Sequence, residues 1–149
     1  MKWTFAKFDD LAPRDIHDLY QARVGVFVVE QKCPFQDVDG VDPACWHLIG
    51  RSEPQGAVLA YCRLVPPGVK YAEPSIGRVL TTAAARGTGA GRELMSQALA
   101  HAHRLWPDKA LRIGAQRYLE RFYGEFGFAT VSEPYDEDGI MHVEMVKGD

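Results

Sequence analysis

The run Arg86-Gly87-Thr88-Gly89-Ala90-Gly91 places three glycines within five residues, where a strand-like stretch gives way to a long amphipathic one. Glycines at such a point let backbone approach a ligand closely, because no Cβ intervenes. A helix that starts in the turn offers unpaired N–H groups and a partial charge of roughly +0.5, which together hold anions. Arg86 and Arg92 add fixed positive charge at the two edges. Two nucleotide motifs fail here. A P-loop begun at Gly87 and a GxGxxG fingerprint begun there both require glycine at the sixth position, which is Arg92. The fingerprint would also need an alternating βαβ unit whose next strand closes on an acidic residue. The turn is an anion cradle of another kind.

Other reactive groups lack the partners their chemistry needs. Cys45 and His47 fall on one face of an alternating strand, but nothing nearby orients them as a nucleophile and base. Asp37, Asp39 and Asp42 look faintly like a calcium loop. A loop begun at Asp37 would need glycine at its sixth position and glutamate at its twelfth, where Asp42 and Leu48 stand. The segment reads instead as a polar turn that can border a cationic substrate. His101 and His103 lie about 200° apart around one helix and cannot share a metal. No metal site is expected.

These residues must be positioned by one domain, 1–149, long enough to bury about two-thirds of the surface its unfolded chain exposes. A net charge of −3 gives no global attraction to nucleic acid or anionic membrane. The middle of the chain differs: Arg78 to Arg121 holds seven arginines and Lys109 against Glu93, Asp108 and Glu120. No run has the length of a membrane helix and the N-terminus lacks a signal-peptide core, so no membrane association is expected. Cys33, Cys45 and Cys62 are too few for a disulfide framework, and reduced thiols in a cytoplasmic protein are expected.

Alternation predicts strands at Trp3 to Phe8, Trp46 to Arg51, Ala57 to Val65 and Ser75 to Thr82, with shorter ones inside Lys109 to Gln116, at Val131 and over Met141 to Val146. Helical spacing predicts helices over Pro13 to Val29, Thr88 to Trp106 and Arg117 to Phe126. Local propensity alone would also allow a strand at Val26 to Val29. Pro107 stops the second helix, and Gly127 suits a C-terminal cap. The acidic segment Glu133 to Gly139 is read as a loop. The order β-α-β-β-β-α-β-α-β-β gives an α+β fold. Its central mixed sheet is flanked by helices, with one right-handed crossover around the glycine turn.

At this point the chain resembles the GNAT superfamily of acetyl-CoA-dependent N-acyltransferases. Arg86-x-x-Gly89-x-Gly91 is similar to that superfamily's pyrophosphate loop, and Leu119 to Phe128, ending in Gly127-Phe128, is similar to its second signature. Phe27 to Gln31, Gln36 to Gly40, Gly114-Ala115-Gln116 and Asp138 to His142 look like the ElaA-like subfamily, so the resemblance spans nearly the whole chain. It implies a GNAT-like fold that binds acetyl-CoA as cosubstrate.

The resemblance also implies roles for residues. The amides of Gly87, Thr88, Gly89, Ala90 and Gly91, with Arg86, would cradle the pyrophosphate. Val79, Leu80 and Thr81 would offer a strand edge to the pantetheine amides if the next strand splays away, with Gln116 near the end of that partner. An N–H of Val79 or Leu80 would stabilise the oxyanion. Tyr123 would reprotonate the leaving thiolate, with Tyr118 as alternative. The strand before the turn carries no carboxylate, so Glu30, Asp138, His142 or a water relay remain open as base. The expected reaction is direct acetyl transfer to a primary amine of an unidentified small molecule or peptide. The acidic loops Asp37 to Asp42 and Asp136 to Asp138 suggest a cationic acceptor. Two other readings stay open: a non-catalytic acyl-CoA binding or sensing module, and a structural domain that binds another protein. A homodimer is also left open.

Overall fold

Strands form where the spacing predicts them, except that the one expected at Val131 ends at Thr130, and one more forms, in the computed structural model, which describes residues 1–148. The elements are β1 (Lys2–Lys7), α1 (Pro13–Arg23), β2 (Trp46–Arg51), β3 (Val58–Val65), β4 (Ser75–Thr81), α2 (Ala90–Leu105), β5 (Leu111–Gln116), α3 (Glu120–Gly124), β6 (Ala129–Thr130), β7 (Tyr135–Glu137) and β8 (Ile140–Lys147). The extra strand is β7, inside the acidic segment read as a loop. Glu137 pairs with Ile140 across a two-residue turn. Asp138 and Gly139 both have positive φ, 53° and 84°, as a tight hairpin of this kind requires. The Asp-Gly pair carried that signal.

The single mixed sheet does not form as such. β1-β2-β3-β4 make one antiparallel sheet, while β5-β8-β6, with β7 also on β8, make a second. They meet where β4 and β5 start, with the Arg112 amide donating to the Pro74 carbonyl at 3.0 Å. Past that bond no ladder joins β4 to β5 among the described residues, and a cavity fills the gap. Helix α2 holds the two sheets together. Leu94, Met95, Ala98 and Ala102, at helical spacing, pack on Leu48, Cys62, Leu64 and Ile76 of the first sheet and on Leu111, Ile113, Val143 and Met145 of the second.

On the opposite face, α1 packs Leu19 and the following Val26 against Ile49, Tyr61 and Leu80. The helical path continues to Glu30, in keeping with the spacing rather than with local strand propensity. It widens there: the Gln31 amide reaches the Val26 carbonyl and the Cys33 amide that of Val28, both five residues back. Such wide turns recur at functional sites.

The loop after it is pinned by charge. Arg23, fully buried, donates to Asp37 Oδ2 at 3.0 Å, to Asp42 Oδ1 at 2.7 Å and to the Asp37 carbonyl at 2.8 Å. Arg63 of β3 donates to Asp42 Oδ1 at 2.9 Å and to both Asp39 oxygens. Arg78 of β4 reaches Asp37 Oδ1 at 2.9 Å and Asp39 Oδ2 at 3.2 Å. Three aspartates thus meet three arginines. His47 belongs to the same structure, its Nδ1 2.6 Å from the Tyr61 hydroxyl and its Nε2 3.0 Å from the Asp42 carbonyl. The Cys45 thiol donates to the Val41 carbonyl, and burial pushes its pKa up to about 11. No cysteine–histidine pair results.

Burial alone would raise the Asp42 carboxyl, but hydrogen bonds and charge from Arg23 and Arg63 outweigh it and hold the group below the usual carboxylate range. Asp39 is lowered in the same way, against its own burial, by Arg63 and Arg78. A carboxyl whose pKa is depressed on folding stabilises the fold above its unfolded value, and that contribution is lost as pH falls. The urea midpoint should therefore be steady from about pH 6 to 8 and decline below about pH 4. Asp42→Asn should lower the unfolding free energy at pH 7 by about 3–5 kcal/mol, because it leaves buried arginines short of a counter-charge. It should also flatten the acid decline. An unchanged midpoint in urea would remove the network from its central place.

Candidate active site

The site is built around an irregularity in β4. Gly77 pairs with Arg63 and Leu80 with Tyr61, so Cys62 alone faces both Arg78 and Val79. This is a bulge, which bends a strand and re-aims its backbone. Arg78 adopts φ 50° to make it, a left-handed conformation that costs a non-glycine residue about 1–2 kcal/mol. Its bonds to Asp37 and Asp39, and its guanidinium 5.4 Å from the Phe35 ring centre, hold it there.

The turn after β4 requires its glycines for conformation rather than for space. Gly87 has φ 79° and Gly89 φ 86°, yet a Cβ on either would meet nothing within 4 Å. Gly89 caps α2. The Thr88 amide turns inward to the Ala85 carbonyl at 3.3 Å, and the Thr88 hydroxyl donates to the same oxygen. The amides of Gly87, Gly89, Ala90 and Gly91 have no backbone acceptor among the described residues. The Arg86 side chain turns back toward the end of β4. Its Nη2 lies 3.0 Å from the Thr81 carbonyl and 2.7 Å from Glu30 Oε1.

A cavity of about 640 Å³ occupies the gap between β4 and β5. It brings together Glu30, Val79, Leu80, Thr81, Arg86, Gly91, Gln116, Tyr123, Asp138 and His142. Gly87, Thr88, Gly89 and Ala90 are not among its walls; they form the turn that borders it. Gln116 at the end of β5 reaches Gln31 after α1 by a long contact of 3.4 Å.

Tyr123 is 6% exposed and set edge-on to Phe122 and Phe128. Burial, and less so the nearby Cys62 and Tyr118, raise its phenol well above the ordinary value, so it keeps its proton at neutral pH. Its hydroxyl makes no hydrogen bond to another described residue, although the ring lines the cavity. It packs and faces the cavity at once. Tyr118 lines the same cavity but is 73% exposed.

The three candidate bases stand differently. Glu30 is engaged by Arg86. His142 has both ring nitrogens facing oxygens, Nδ1 at 2.7 Å from the Ile140 carbonyl and Nε2 at 3.3 Å from Glu137. Asp138, in the β7–β8 turn, has no side-chain partner among the described residues; only its carbonyl is used, by the Cys33 thiol at 3.2 Å.

One expectation is corrected. Asp37, Asp39 and Asp42 cannot draw a cationic acceptor, because their charge is matched by Arg23, Arg63 and Arg78. Of the acidic loops, only Glu137 and Asp138 line the cavity. The spacing also gave no hint that Arg63, Lys70, Tyr71, Ser75 and Arg78 share its walls. Their only common signal, polar side chains on or beside strands, does not tell a cavity from a solvated face.

Residues 67–148 match the acetyltransferase (GNAT) domain family. A UPF0039 protein of Synechocystis is 44% identical over 146 residues, covering 98% of this chain and 94% of its own. The crystal structure of an acyl-CoA N-acyltransferase from Pseudomonas aeruginosa superposes with a TM-score of 0.93 at 42% identity, over 99% of this chain and 100% of that one. Escherichia coli ElaA superposes with a TM-score of 0.91 at 38% identity, over 98% of both chains.

The two helix-start glycines should respond oppositely to a methyl group. Gly89→Ala should lower the unfolding free energy by about 1–2 kcal/mol, since its φ is positive although its surroundings are open. Gly91→Ala, inside the helix with Phe122 and Thr81 at an ordinary 3.9 Å, should be neutral or stabilising by up to about 1 kcal/mol. Equal effects in urea titrations would contradict the conformational argument.

Proposed function

As this chain belongs to the GNAT acetyltransferase family, in the branch that includes ElaA, we propose that it moves an acetyl group from acetyl-CoA to a primary amine of a small molecule or peptide, directly, in a ternary complex. The observation that carries this reading is the row of unpaired amides at the start of α2, bordering the cavity that Tyr123 lines. A coenzyme A pyrophosphate suits that row together with the Arg86 guanidinium. The unpaired side of β4 at Val79 to Thr81 suits the two pantetheine amides, which would pair with it as an added strand does. Gln116 faces the same gap from β5.

The chemistry then divides among this chain's residues. The amine nitrogen bonds to the thioester carbonyl carbon, and the N–H of Val79 or Leu80 beside the bulge stabilises the oxyanion, a contribution of about 3 kcal/mol. As the C–S bond breaks, the thiolate takes the Tyr123 proton. Burial makes that phenol a weaker acid, yet the same desolvation raises the basicity of a thiolate formed beside it. The proton lost by the amine goes to Asp138, the candidate carboxylate without a partner, directly or through water. A covalent route through an enzyme thiol is disfavoured: Cys45 and Cys62 are buried with pKa values raised mainly by burial, and Cys33, the cysteine on the cavity wall, donates its thiol hydrogen to the Asp138 carbonyl.

Tyr123→Phe should lower kcat by about 100-fold or more, with the KM for acetyl-CoA within about twofold of the parent. Free-thiol release over a broad amine library, with mass detection of product, measures both. Tight acetyl-CoA binding with no acetylated amine would favour the sensing-module reading. Failure to bind acetyl-CoA at millimolar concentration would sink both.

A further inference from the structure

At the end of β4 away from the glycine turn, the cavity is lined by Arg63, Lys70, Tyr71 and Ser75. Ser75 opens β4 and Thr81 closes it, about 20 Å apart at the usual strand rise, so the turn's amides do not serve this end. Its polar groups lack partners. Ser75 is 3% exposed, and its hydroxyl makes no hydrogen bond among the described residues. Arg63 Nε is buried without an acceptor, 3.9 Å from where a Cβ on Gly77 would stand, while its other nitrogens hold Asp39 and Asp42. Lys70 forms no ion pair among the described residues, and the Tyr71 hydroxyl is likewise unbonded.

The donors at this end include one cation without a counter-ion. Lys70 stands exposed on the wall of the cavity, with the Arg63 and Arg78 guanidiniums near it and Glu137 and Asp39 as its acidic neighbours. Burial, with Tyr135, Glu144 and Glu137 nearby and against the Arg112 charge, pushes the Tyr71 phenol up to about 12, which keeps it a donor. Arg63 and Arg78 are already matched by aspartates, leaving Lys70 as the one cation of this group without a counter-ion. One free charge with several neutral or compensated donors suits a monoanion. A phosphate dianion would be left under-neutralised.

We infer that the acceptor carries a carboxylate besides its amine, and that Lys70, Tyr71, Ser75 and the Arg63 Nε–H form the subsite that binds it. The inference rests on the transfer reading above for the identity of the ligand as acceptor. Asp138, on the same cavity and without a side-chain partner among the described residues, then faces the amine end of a molecule charged at both ends.

The test uses the full chain with acetyl-CoA and a series of ω-amino acids from glycine to 6-aminohexanoate, each beside its own primary amide. At the best length the acid should exceed the amide by about tenfold or more in kcat/KM, the size of one charge-assisted hydrogen bond. In Lys70→Gln that ratio should fall to near one, and in Ser75→Ala part of the way. Amides as good as acids at every length, or a ratio that survives Lys70→Gln, overturns the subsite. If no acceptor is turned over, the transfer reading fails by itself, and calorimetry with the N-acetyl amino acids and their amides still decides the subsite. About tenfold tighter binding of the acid, lost in Lys70→Gln, upholds it; equal binding of acid and amide overturns it.

Discussion

Six charged side chains at the junction of α1, the following loop and two strands can exist there only together. Arg23, Arg63 and Arg78 would be untenable in their places without Asp37, Asp39 and Asp42, since a buried charge without a partner is far more costly than a matched one. A hydrophobic substitute could match the stability. It could not match the directionality, because each guanidinium fixes the angle as well as the distance of its partner. The loop after α1 therefore has one place to lie. Its carboxylates in turn hold Arg78 in the left-handed conformation that makes the β4 bulge.

From the bulge the rest of the site follows by connection. β4 stays paired to β3 on one side while its other side faces β5 across a gap without a ladder. Open backbone groups at such a seam are tolerated only where something else can satisfy them. Helix α2 keeps the gap from closing or widening, because its apolar face packs on both sheets at once. Its N-terminus, with the unpaired amides of the glycine turn, is carried to the edge of the same cavity. Phe122 and Tyr123 form an aromatic wall of the cavity, packed against Phe126 and Phe128, with Tyr123 the member that brings a hydroxyl.

Much of this was legible in the sequence where the cause is local. Gly87 and Gly89 announce positive φ, the spacing of Leu94, Ala98 and Ala102 announces a helix face, and alternation announces most strands. The β7 hairpin was also legible, in Asp138-Gly139, but its acidic composition suggested a loop. The loop of three aspartates misled for a related reason. Local signals describe a turn, and they do not say whether its charges face solvent or arginines from elsewhere.

By itself, the sequence determined most of the elements and where the glycine turn opens α2, and its motifs resembled the family to which the chain belongs. The elements and the turn rest on φ/ψ preferences, periodicity and spacing within a few neighbouring residues. Only the tertiary structure decided the bulge, the split between the sheets, the pairing of Glu30 with Arg86 and the neutralised aspartates. Each depends on partners far apart in the chain, 14 residues for Arg23 and Asp37 and 41 for Arg78 and the same aspartate. Whether a charged side chain remains free to meet a ligand depends on which distant groups folding brings beside it, and burial makes that pairing obligatory.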